Sequence, residues 1–121
     1  MSREAIAHIG LGSNLGNPEA QVLAAFDEIA ATPGIELERR SSLYRTAPVG
    51  LKHQPDFINA VVELVAVSPA PPLLEMLFAI EARFGRRRSI RNAPRTLDLD
   101  LLLYGDEISD DPYLTLPHPR L

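Results

Sequence analysis

At 121 residues, with 45% hydrophobic and 23% charged side chains, the chain is long enough for one two-layer core and ordinary for a soluble globular domain. Its net charge of −4 argues against nonspecific nucleic-acid binding by the whole surface. The absence of cysteine excludes disulfides and thiolate metal sites and leaves the redox compartment open.

Met1-Ser2-Arg3-Glu4 runs into a short apolar strand pattern, not a signal peptide, and no apolar run approaches the roughly 18 residues of a membrane span. A single cytoplasmic domain over residues 1–121 is therefore expected. Ala5 to Leu11 is predicted as a buried strand ending in Gly12-Ser13-Asn14. Asn17-Pro18-Glu19 carries a helix start, with a capping side chain, a proline at the first helical position and an acid in the first turn. Val22, Ala25, Phe26, Ile29 and Ala30 form its apolar stripe, and Thr32-Pro33-Gly34 stops it.

Ile35 to Tyr44 is predicted as a second strand of mixed charged and apolar alternation, and Thr46 to Pro55 as a loop. Phe57 to Val67 is a long third strand: Ile58, Ala60, Val62, Leu64 and Ala66 face the core, while Phe57, Asn59 and Glu63 look the other way. Ser68-Pro69-Ala70-Pro71-Pro72 breaks it and leads into a second helix, with Leu73, Leu77, Ile80 and Phe84 at helical spacing and Gly85 at its end. A loop over 86–95 contains five arginines within ten residues. A fourth strand follows. Beyond Gly105-Asp106 the proline-bearing last residues are expected to be irregular. The order is β-α-β-β-α-β, a ferredoxin-like α+β plan with an antiparallel sheet and two helices on one face. The other sheet face is then free for Phe57, Asn59, Asp98 and Asp100 to share.

The fourth strand is the most informative stretch. In Leu97 to Tyr104 the alternation places Leu97, Leu99, Leu101 and Leu103 on one side and Asp98, Asp100, Leu102 and Tyr104 on the other. The two aspartates stand about 7 Å apart at their Cα atoms, given about 3.3 Å rise per residue. Such a pair either sits in solvent or seats a hard cation such as Mg²⁺. Arg86, Arg87, Arg88, Arg91 and Arg95 either pair with these acids or offer planar forks to phosphate oxygens. Glu81, one turn before them, reads as a helix-surface salt-bridge partner or as an orienting group. Gly10, Gly12 and Gly16 either allow a tight strand-to-helix turn or let a flat ligand approach the backbone. Their G-x-G-x-x-x-G spacing does not match a dinucleotide fingerprint. An amide beside an aromatic ring, Asn59 with Phe57, can recognise a flat heterocycle, or be ordinary strand and loop chemistry.

Gly10-Leu11-Gly12-Ser13-Asn14-Leu15-Gly16, Ser42-Leu43-Tyr44-Arg45-Thr46, Gln54 to Ala60, Pro94-Arg95-Thr96-Leu97-Asp98-Leu99-Asp100 and Leu116-Pro117-His118 together resemble the successive signatures of the 6-hydroxymethyl-7,8-dihydropterin pyrophosphokinases. The resemblance implies a folate-pathway enzyme that moves pyrophosphate from ATP to the pterin's hydroxymethyl oxygen and releases AMP. It implies that Asp98 and Asp100 hold two Mg²⁺ ions, with Arg86, Arg88 and Arg95 on the phosphates and His118 and Thr115 near the nucleotide. Asp98, Asp100, Arg86 and Arg95 are the implied catalytic set. Glu81 and Leu101 match positions on the adenosine side, and Thr46, Ala47, Val49, Phe57 and Asn59 match the pterin pocket, with Gly12 beneath it.

Two departures are expected to matter. Asn92 stands where some members stack a tryptophan on the pterin. Family members also continue past Pro-His with an arginine and a phenylalanine that close the site, so part of the lid is expected to be absent and substrate binding weakened. The alternative is a ferredoxin-like module that binds pterin, nucleotide or a protein without turnover. No nucleic-acid or membrane partner is expected, and the oligomeric state is left open with a monomer favoured.

Overall fold

The computed structural model describes residues 4–48, 53–85 and 97–119. Seven strands and two helices follow in the order β1 (Ala5–Ser13), α1 (Pro18–Ala30), β2 (Ile35–Arg40), β3 (Tyr44–Thr46), β4 (Phe57–Ala66), α2 (Ala70–Arg83), β5 (Asp98–Tyr104), β6 (Ser109–Asp111) and β7 (Leu114–Leu116). The main sheet runs β2-β4-β1-β5 with β3 also beside β4, and every pairing is antiparallel. This is the ferredoxin-like α+β plan. No helix among the described residues is long and apolar enough to cross a membrane.

The helices start where local chemistry directs. The Asn17 side chain accepts from the Ala20 amide at 3.2 Å, and Pro18 follows it. Val22, Ala25, Phe26 and Ile29 are buried as their spacing predicts, but Ala30 is exposed. Helix α2 begins at Ala70, inside the stretch expected to break the chain. Pro71 and Pro72 lie in its first turn, where backbone amides have no intrahelical partner to lose. The core forms between these helices and one sheet face, with Ala7, Ile9 and Leu11 of β1, alternate residues of β4 from Ile58 to Ala66, and Leu97, Leu99 and Leu101.

Three expectations about strands change. The predicted strand over 35–44 is two segments, because Ser41 interrupts the ladder. Its amide donates to Val61 O at 2.8 Å, but its hydroxyl, not a backbone carbonyl, accepts from the Val61 amide at 2.9 Å. The alternation of β5 also fails at its end. Ile9 pairs with Leu101 but His8 pairs with Leu103, so Leu102 is an extra residue in the strand. A one-residue slip swaps faces. Tyr104 therefore pairs with core residue Ala7, packs against the core and donates its hydroxyl to Ser68 O. Leu103 goes to the side of His8. Third, residues 109–116 form a hairpin where irregular chain was expected. Asp111 builds its turn: the carboxylate accepts from the Tyr113 amide at 2.9 Å and the carbonyl from the Thr115 hydroxyl at 3.0 Å.

The mixed charges of β2 have separate destinations. Arg40 lies over the Phe26 ring at 4.9 Å on the helix side. Arg39 donates to Glu63 on the open side at 3.1 Å, and His8 Nε2 lies 3.1 Å from the same carboxylate oxygen. Arg39, and then His8, hold the Glu63 carboxyl below its ordinary 4.5. A depressed folded-state value stabilises the fold above pH 4.5 and ceases to do so as pH falls through the lower folded value. The stability difference between wild type and Glu63→Gln, followed by urea unfolding from pH 5 to pH 3, should therefore shrink on acidification. A difference that grows would contradict the pairing.

Candidate active site

Strand β1 runs through the middle of the open sheet face, and its glycines leave room there for side chains of the neighbouring strands to lie over it. Gly12 pairs with Asn59 of β4 on one side and Asp98 of β5 on the other. Gly10 pairs with Val61 and Asp100. A Cβ on Gly12 would stand 3.1 Å from Asn59 Oδ1, too close to fit without displacement. The turn reading holds instead for Gly16, whose φ of 64° favours glycine. Gly10 and Gly12 are mid-strand residues that let something approach the sheet.

Over this floor lies a cavity of about 340 Å³. Five of the residues assigned to the pterin by resemblance line it: Gly12, Thr46, Ala47, Phe57 and Asn59. So do Asp98, Asp100 and His118. The Asn59 amide is oriented by its neighbours, since Nδ2 donates to the Thr46 hydroxyl at 2.6 Å. Beneath the rim, buried Asn14 donates from Nδ2 to Gln54 Oε1 at 2.8 Å and to Pro55 O at 3.0 Å. That pins the segment feeding Phe57 and Asn59 to the β1–α1 turn. Val49 lies outside the described residues.

A second cavity of about 200 Å³ opens between α2, β5 and the 109–116 hairpin. Leu101 and Thr115, two residues placed on the nucleotide side, line it with Leu74, Phe78 and Tyr113. The hairpin docks on α2 through an edge contact of Tyr113 with Phe78 at 6.1 Å and through the Tyr113 hydroxyl, which donates to Glu75. That bond raises the tyrosine pKa. Asp100 and His118 line both cavities and form the partition between them. His118 Nε2 is 3.5 Å from Asp100 Oδ1, and its amide donates to Leu102 O at 2.9 Å.

Glu81 differs from its surface reading. It is 2% exposed, and its carboxylate accepts from the Leu99 amide at 2.7 Å, between the two aspartates in sequence. Neither cavity counts it among its walls. Arg86, Arg88 and Arg95, with Asn92, lie outside the described residues. Gly10, Val61 and Leu102 line the first cavity without having been singled out as site residues. Gly10 carried a signal, its place in the glycine motif. Val61 and Leu102 carried only their alternation, which puts them on the open face with Asn59 and the aspartates but gives apolar residues no chemistry of their own.

The 7,8-dihydro-6-hydroxymethylpterin-pyrophosphokinase family model matches residues 8–121. The chain belongs to this family. It is 48% identical over 116 residues to the 2-amino-4-hydroxy-6-hydroxymethyldihydropteridine pyrophosphokinase of Synechocystis, covering 95% of this chain and 58% of that relative. It is 44% identical over 113 residues to the enzyme of the same name from Methylorubrum extorquens, covering 93% of this chain and 71% of the relative. Against that of Pseudomonas putida it is 42% identical over 112 residues, 93% of this chain and 92% of the relative. The chain thus spans less than two thirds of the Synechocystis protein's length. Within this pyrophosphokinase fold the acid pair, the asparagine amide and the glycine floor occupy one concave surface.

The donor chemistry of that surface fits a hard divalent cation. Among the described residues no group of three or more His, Cys, Asp or Glu could hold a metal by itself. Mg²⁺ takes hard oxygen donors, keeps several waters, and in phosphate sites is held by one or two carboxylates plus the phosphates. Asp98 and Asp100, side by side at the cavity wall, are such a donor set.

Proposed function

We propose that the chain transfers pyrophosphate from ATP to 6-hydroxymethyl-7,8-dihydropterin with Mg²⁺, releasing AMP, as a step of folate biosynthesis. The observation that carries this reading is the shared wall. Asp98 and Asp100 face a cavity whose other side is an amide and an aromatic ring, and Asp100 with His118 also borders the second cavity. Acceptor and donor can therefore meet at the acid pair.

In this reading the heterocycle lies over Gly12, with the oriented Asn59 amide hydrogen-bonding its edge and Phe57 against its face. ATP occupies the second cavity, its base near Leu101 and Thr115 and its phosphates reaching past His118 to the aspartates. Asp98 and Asp100 hold Mg²⁺, two ions by the family resemblance. When bound, the metal neutralises phosphate charge and eases ionisation of the attacking hydroxyl. The hydroxymethyl oxygen forms a bond to the β-phosphorus, the bond from that phosphorus to the bridging α,β-oxygen breaks, and AMP leaves with that oxygen. The hydroxyl proton passes to solvent. The chain's own contribution is alignment of the reacting atoms and fixed charge around them. Arg86, Arg88 and Arg95 are assigned to the phosphates on the sequence resemblance. A monomeric, cytoplasmic enzyme belongs to the same reading.

AMP formation measured by chromatography should require ATP, the pterin and Mg²⁺ together. If Mg²⁺ and a nonhydrolysable ATP analogue bind by calorimetry but no AMP forms, the chain is a binding module and the catalytic reading fails.

A further inference from the structure

The open sheet face does not end at the cavity. Along β1 it continues from Gly12 through Gly10 to His8, and along β4 from Asn59 through Val61 to Glu63. Yet Val61 and Leu102 line the cavity, while His8 and Glu63, the next pair along, do not. The cavity stops short of that pair.

The bulge in β5 places a side chain at that end. Leu102 is the residue that the His8/Ile9 register shift leaves over, between Leu101 opposite Ile9 and Leu103 opposite His8. Its side chain lies across the strand onto Gly10: an ideal Cβ there would meet its Cδ1 at 3.3 Å, its Cδ2 at 3.5 Å and its Cγ at 3.6 Å. A glycine at position 10 thus leaves the room that the leucine occupies. Beyond this contact lies Glu63, with His8 Nε2 at 3.1 Å and the Arg39 guanidinium at 3.1 Å from its carboxylate.

We propose that Leu102, seated on Gly10, is a specificity-determining wall that sets the length of the pterin cavity and rejects heterocycles bearing an added alkyl group directed along β1 toward His8. This rests on the reading that the first cavity takes the pterin. The wall is apolar and has no charge to exchange, so it acts by volume. A close-packed apolar wall discriminates by about ten- to two-hundredfold per methylene-sized misfit. Because bulge and glycine face each other across two strands, their effects are coupled and not additive.

Calorimetry with 6-hydroxymethyl-7,8-dihydropterin and a panel of its methyl, ethyl and propyl ring-substituted analogues tests this, on protein whose thermal melt shows it folded. For Leu102→Ala, the affinity of at least one substituted analogue relative to the parent should rise by about tenfold or more. Leu102→Val, one carbon smaller than leucine, should shift the same ratio in the same direction by less, and decides the matter should the alanine variant not fold. Gly10→Ala pushes on Leu102 and should weaken the parent several-fold, whereas Gly10→Ala with Leu102→Ala should recover most of that loss. Binding of the parent with the analogue ratio unchanged in the Leu102 variants overturns the wall alone. Additive losses in the double variant overturn it too. If the wild type binds no pterin, the underlying reading fails and the wall with it.

Discussion

Asp98→Asn and Asp100→Asn are each expected to lower the rate of AMP release by at least about a hundredfold, the scale for loss of a fixed group that stabilises developing charge. Asparagine keeps the shape of the side chain and removes the charge that would hold the cation. The two residues occupy alternate positions on a strand whose intervening residue, Leu99, is buried, so the backbone beneath them is held by the core. Neither aspartate is itself a core residue, and each substitution should cost on the order of 1 kcal/mol of stability or less. The separation of the two effects is the test. Steady-state kinetics across a Mg²⁺ titration should show a raised metal requirement with a melting temperature close to that of the wild type. Wild-type turnover in either variant would remove that aspartate from the proposed metal site.

The second large effect concerns stability. Glu81→Leu should cost about 3 kcal/mol in urea unfolding, because it strips the acceptor from the buried Leu99 amide and leaves a backbone donor unsatisfied. Glu81→Gln keeps an acceptor oxygen at the same reach and should lose about 1 kcal/mol. The Leu99 amide sits between the two aspartates, so loosening it frees the start of β5. The same variants should therefore need more Mg²⁺ for half-maximal AMP release, the leucine more than the glutamine. Equal stability of Glu81→Leu and wild type would mean that this hydrogen bond does not hold the strand.

Some of the site is visible without coordinates. The faces of Leu97 to Leu101 and of Ile58 to Ala66 follow from period-two alternation, a local property of strand backbone, and both core faces form as read. The capped start of α1 is equally local. Where the pattern misleads in β5 and at Glu81, the cause is a second segment. The β5 bulge reverses Leu103 and Tyr104 because register is set by pairing with β1, which alternation within one strand cannot encode. Glu81 sits at a helical position adjoining Ile80 and Leu77, and the Leu99 amide across the core gives the carboxylate buried there a donor that helical spacing cannot reveal. The 109–116 hairpin has strands of three residues, too short for any periodicity, and depends on the Asp111 turn and the docking of Tyr113 on α2.

The sequence by itself determined the order of the helices and long strands, the core stripes outside the end of β5, the acid pair and the family, since each is written in residue identity and near-neighbour spacing. Only the tertiary structure decided what stands opposite what. It set Gly12 between Asn59 and Asp98, made Asp100 and His118 the partition between two cavities, and laid Leu102 across Gly10. Those relations arise from the register of strands far apart in the chain, and register is fixed by burying all the core faces at once rather than by any one segment.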